Sequence, residues 1–169
     1  MNIKNKIIIT DTNIITDLSV ANVLEIFVTM DNVYTSDLVK RDEINANTGD
    51  IETIKLLKTI TASPEQLKEI FEISEKEKSL SAVDIINYIL SRDNNAILAT
   101  GDKKLLEFSK NNGIKVIRTL AIIKNMWGEQ IITTKKAIDA CNRLKKEKST
   151  RIPEKDIDDF ISTLEKDLD

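Results

Sequence analysis

Four short apolar runs, separated by segments of helical periodicity, constrain this chain more than any other feature. They are KIIIT (6–10), NVYT (32–35), NAILAT (95–100) and IKVI (114–117). The first is continuous and β-branched, and NAILAT has the same buried character, as expected of strands covered on both faces. Strands alternating with helices imply parallel strands joined by right-handed crossovers. The expected fold is α/β, a three-layer α/β/α sandwich on a mostly parallel central sheet with added C-terminal helices.

The intervening segments carry their own punctuation. Asp11-Thr12-Asn13 breaks the first run, and Ile14, Leu18, Val23, Leu24, Phe27 and Val28 then recur over two short helices. Ser36 or Asp37 caps a helix running to about residue 46, and Asn47-Thr48-Gly49-Asp50 is a turn. Residues 51–61 fit helix or strand equally. Ser63-Pro64 opens a helix to about residue 76, with serine as cap and proline in the first turn. Ser79 or Ser81 starts the next helix. Gly101-Asp102 leads into a helix over 103–111, which Asn112-Gly113 closes. Only helices are expected beyond Thr119, over about 120–127, 134–147 and 153–166. With no repeat and no flexible linker, the expected organisation is a core over residues 1–120 and a helical extension over 121–169 packed on the same domain.

What is missing narrows the chemistry. The chain has 169 residues and no histidine. That removes Ser-His-Asp and Cys-His catalysis, histidine bases and His-ligated zinc. The single cysteine, Cys141, builds neither an internal disulfide nor a Cys-rich metal site. No apolar stretch approaches the roughly 20 residues of a membrane helix, and the N-terminal run reads as a first strand, not a signal peptide. The expectation is a cytoplasmic protein without membrane association. Any catalysis must rest on carboxylates, hydroxyls, lysines or a cofactor, and hard divalent cations on Asp and Glu oxygens lead that group.

The net charge of −3 argues against an extended nonspecific nucleic-acid binder. Charge is unevenly placed, however. Lys135, Lys136, Arg143, Lys145, Lys146, Lys148 and Arg151 are opposed within that stretch only by Asp139 and Glu147. Such a segment serves equally as a phosphate contact or as a solvated helix face.

In open α/β sheets, ligands bind beyond the carboxyl ends of the strands. Asp11 follows the first strand and Asp102 follows NAILAT, so a shared acidic pocket is expected there. Each also stands where a helix N-cap belongs. Asp84 lies three residues after Ser81, as in a capping box with Asp in place of Glu. Glu43 sits in KRDE, an ordinary charged helix surface.

The order of the pieces is more specific than any one of them. IIITDTNIITDL, TSDLVKRDEI, LSAVDIINYIL and LATGDKKLLEF together resemble the PIN-domain family. The resemblance runs directly over residues 6–120. It implies that Asp11, Glu43, Asp84 and Asp102 form the catalytic set around Mg²⁺ or Mn²⁺. Asp11, Asp84 and Asp102 are then the metal ligands, with Asn13, Ser81 and Thr100 as supporting polar groups. Lys103 and Lys104 are candidate phosphate contacts. Residues 117–160 resemble a PIN subfamily with extra C-terminal helices, although Arg118-Thr119-Leu120-Ala121 lacks both glycines of a "GTLG" motif and Arg151-Ile152-Pro153 replaces a "RIS"-type turn.

The resemblance implies a VapC-like, metal-dependent endoribonuclease, the toxin of a toxin–antitoxin pair, with RNA as substrate, an antitoxin protein as partner and a homodimer as assembly. The alternative is a catalytically inactive PIN-like module that binds RNA or protein. Aromatic residues at 4% argue against a base-stacking platform for single strands. A phosphoaspartyl phosphatase needs a second Asp two residues after the first, where this chain has Asn13.

Overall fold

Residues 8–10 are fully buried and hydrogen-bonded to strands on both sides, which places the first strand at the centre of the sheet. The computed structural model describes residues 3–40, 51–147 and 149–167. Its strands are β1 (Ile8–Thr10), β2 (Val33–Ser36), β3 (Lys58–Ile60), β4 (Ile97–Ala99) and β5 (Lys115–Ile117). They form one sheet of order β3-β2-β1-β4-β5, and every pairing is parallel. Ile8 faces Val33 and Ile97 in register, and Thr10 faces Ala99.

Nine helices are described: α1 (Thr12–Val20), α2 (Leu24–Val28), α3 (Ile51–Leu56), α4 (Pro64–Lys76), α5 (Ala82–Asp93), α6 (Lys103–Asn111), α7 (Thr119–Gly128), α8 (Thr134–Lys146) and α9 (Glu154–Glu165). The ambiguous stretch 51–61 is both things in turn, a helix and then the edge strand β3. The expected strand at 6–10 pairs only over its last three residues.

Side chains alternate across a strand, and this alternation divides the core in two. Ile8, Val33, Ile97, Ala99 and Ile117 face one layer, where Ile14 and Leu18 of α1, Ile122 and Met126 of α7, Ala137 of α8 and Phe160 of α9 cover them. Ile9 and Leu98 face the other layer, against Ile70 of α4, Ile85, Ile86 and Ile89 of α5, and Leu105 of α6. The result is the three-layer sandwich expected from the sequence. Among the described residues, no helix is long and apolar enough to cross a membrane.

The punctuation works as the residue types require. Ser63 caps α4 in a full capping box with Gln66, and Pro64 stands in its first turn. Gly113 turns the chain out of α6 at φ +80°, a conformation that strains residues bearing a Cβ.

Candidate active site

The chain leaves β1 toward β2 and β3, then returns to place β4 and β5 on the other side of β1. The carboxyl ends of β1 and β4 therefore flank the switch point of the sheet, where this architecture opens a crevice. A cleft of about 690 Å³ lies there. Asp11, Asp84 and Asp102 all line it, with Asn13 and Gly101.

Asp11 is only 5% exposed. Its Oδ1 accepts from the Thr12 amide at 2.8 Å, and its Oδ2 accepts from Asn13 Nδ2 at 2.7 Å and Thr100 Oγ1 at 2.9 Å. Asn87 of α5 brings Nδ2 to 3.5 Å from Asp11 Oδ1, while its own buried Oδ1 has no protein partner. Asn13 also ties the two strand ends together, because its Oδ1 accepts from the Gly101 amide at 2.7 Å. A Cβ on residue 101 would stand 3.1 Å from that same oxygen, so glycine permits the close approach. Thr100 Oγ1, having donated to Asp11, accepts from the Asp102 amide at 3.1 Å. Asn13 and Thr100 are thus in contact with the acids they were expected to support.

The other two acids are helix caps as well. Asp102 Oδ1 accepts from the Lys104 and Leu105 amides at 2.8 and 2.9 Å. Asp84 Oδ2 accepts from the Ser81 amide and hydroxyl, both at 2.8 Å, and Ser81 Oγ accepts from the Asp84 amide to complete the box. Ser81 is an exposed N-cap whose link to the cleft runs through Asp84. In each pair of carboxylate oxygens, one serves the cap and the other stays out of it. Among the described residues no group of three His, Cys, Asp or Glu side chains is already spaced to hold a metal.

Glu43 lies outside the described residues. Lys103 and Lys104 are exposed on the first turn of α6 and do not line the cleft. Lys103 leans instead toward Glu107 at 3.8 Å.

The far wall was not expected. Asp17, Arg118, Lys124, Arg151, Asp156 and Asp159 also line the cleft. Asp17 accepts from Thr119 Oγ1 at 2.6 Å. Burial raises its pKa above the ordinary carboxylate value, outweighing the Thr119 hydrogen bond and the nearby Arg118 and Arg151 charges. A signal for it did exist in the sequence. Thr12 and Thr16, and Asn13 and Asp17, are each four residues apart, so all four share the polar face of α1 opposite Ile14, Ile15 and Leu18. Arg151 belongs to the basic stretch that the sequence displays, but only the packing of the extension brings it and the other residues from α7 onward over the cleft.

Asp11, Asp84 and Asp102 thus line one cleft at the switch point of a parallel α/β/α sheet. A PIN-domain family model matches residues 7–166, and the chain belongs to the PIN-domain family. The crystal structure of PAE2754 from Pyrobaculum aerophilum is similar in fold, with a TM-score of 0.52 at 14% identity, covering 69% of this chain and 93% of that one. No curated protein matches the chain.

Proposed function

We propose that the protein is a Mg²⁺- or Mn²⁺-dependent endoribonuclease whose cleft hydrolyses RNA phosphodiester bonds. The observation that carries this reading is that Asp11, Asp84 and Asp102, 91 residues apart from first to last, line one cleft at the sheet's switch point.

The residues present fit a hard divalent cation. Asp11, Asp84 and Asp102 offer only oxygen, which suits Mg²⁺ and Mn²⁺. The partnerless buried Oδ1 of Asn87 beside Asp11 marks a polar interior with unused acceptor capacity. Asp11 and Asp102 would hold the cation, with Asp84 contributing directly or through water and Glu43 completing the acidic set. When bound, the cation supplies neutralisation of phosphate charge and lowers the pKa of coordinated water. The chain's own work is orientation. Asn13 and Thr100 fix the Asp11 carboxylate, and the Asn13 bridge to Gly101 holds the β1 and β4 ends together. The toxin role, the antitoxin partner and the homodimer belong to this same proposal, supported by the family resemblance.

Titration calorimetry with Mn²⁺ tests the site without a guess about substrate. Wild type should bind saturably, and the Asp11→Asn, Asp102→Asn double variant should not. Cleavage of RNA should likewise be nearly abolished by Asp11→Asn in a protein that still folds. Equal, weak Mn²⁺ binding in both proteins and no metal-dependent cleavage would favour the inactive RNA- or protein-binding module.

A further inference from the structure

We propose that Arg151 is a substrate-binding residue that contacts an RNA phosphate beside the acidic end of the cleft. The proposal deepens the ribonuclease reading and rests on it for the identity of the ligand.

Arg151 lies in the connection between α8 and α9. Its Nη1 stands 3.8 Å from Asp102 Oδ2, the carboxylate oxygen left out of the α6 cap. The backbone there is held from several directions. Arg118 Nη2 donates to the Arg151 carbonyl at 3.3 Å, and Thr150 Oγ1 donates to the Leu144 and Glu147 carbonyls at 3.2 and 2.9 Å. Ile152 packs on the core. The side chain itself is 80% exposed, and its ion pair with Asp102 sits at the long limit for such a contact. Exposed pairs of this kind are weak. A fixed root and a loosely held guanidinium suit a group that changes partner when a ligand arrives.

Charge decides what that ligand is. Asp102 would be among the residues holding the cation, and the guanidinium, which already lines the cleft, would then be open to an anionic partner. A phosphate offers it two oxygens in the fork geometry that arginine matches. Three neighbouring cations are otherwise engaged. Lys145 is bound by Asp158 at 2.7 Å and Glu154 at 3.2 Å, Arg143 by Asp139 at 2.9 Å, and Lys124 lies over the Phe160 ring at 5.0 Å. Among the described residues of the basic stretch that the sequence displays, it is Arg151 that reaches the acids.

The experiment compares wild type, Arg151→Ala and Arg151→Lys in Mg²⁺. It measures anisotropy of a fluorescein-labelled, mixed-sequence RNA 12-mer across a KCl series, with cleavage of the same oligonucleotide followed in parallel and Mn²⁺ binding followed by calorimetry. Arg151→Ala keeps the carbonyl that Arg118 holds, so the loop stays in place. It should bind RNA about tenfold more weakly, as loss of a charge-assisted contact requires. The slope of log affinity on log salt should become shallower by about 0.7, the share of one single-strand phosphate contact. Arg151→Lys should recover part of the affinity, and Mn²⁺ binding should be unchanged or slightly tighter. RNA binding and salt slope equal to wild type overturn the proposal, as does loss of Mn²⁺ binding, which would make Arg151 a support of the acidic site. If wild type binds RNA through Arg151 yet never cleaves it, the ribonuclease reading fails and this one stands.

Discussion

Asp17 is a carboxylate that burial makes reluctant to ionise. Its folded-state pKa lies above that of the unfolded chain. Its contribution to stability is therefore fully present below the ordinary carboxylate range and is lost as pH rises through the raised value. Asp17→Asn removes that loss while keeping an acceptor for Thr119. The variant should melt at or above the wild-type temperature at pH 7, and the difference should close as pH falls through the carboxylate range. Equal destabilisation at both ends of a thermal-denaturation pH series would show that the Thr119 bond needs the carboxylate itself. Cys141 makes a second residue-scale case. It is fully buried, and burial pushes its thiol up to about 11. At neutral pH it carries almost no thiolate, so a thiol reagent should label it only as fast as the protein opens. Rapid labelling of the native protein would contradict this placement.

At the scale of elements, the caps do two jobs at once. Ser81→Ala should cost about 1 kcal/mol by removing the α5 cap, measurable by urea denaturation. It also removes the hydroxyl that holds Asp84 Oδ2, so Mn²⁺ affinity should shift in the same variant. A second element contact joins α4 to α5, where Arg92 pairs with Glu69 and Asp93 and lies 5.8 Å from the centre of the Tyr88 ring. These groups are partly exposed, so Arg92→Ala should cost only about 1 kcal/mol. Most elements were legible in the sequence because their signals are local. Ser63-Pro64, the Gly113 turn and the short buried strands each follow from a few adjacent residues. The edge strand β3 was not legible, because its three residues are at most half-buried and its pairing with β2 supplies what its sequence lacks. Asp11, Asp84 and Asp102 were placed from their strand-end and helix-start positions together with the family resemblance. Arg118 and Arg151 belong to the cleft only through contacts between residues far apart in the chain.

At the scale of the molecule, α7, α8 and α9 complete the core beneath one face of the sheet. Ile122, Ile123, Met126, Leu144, Phe160 and Leu164 are buried there, in the same cluster as Ile8 and Ile14. Each such side chain contributes roughly 1.5–3 kcal/mol on burial, and a whole domain is stable by only about 5–15 kcal/mol. A chain ending at residue 120 should therefore lack a cooperative melting transition, and its recovery as a soluble, cooperatively folded protein would show that the first 120 residues fold alone. The central position of β1 has a consequence for timing. β1 pairs with β4 nearly 90 residues later, and the cleft's far wall comes from residues 149–159. During synthesis Asp11 emerges early but gains its β4 and Asp102 neighbours only after nearly 90 further residues, and Arg151 later still. A cleft ordered in this way comes together only when β4 joins the sheet and the α8–α9 connection closes over it, so it is among the last parts of the fold to be complete.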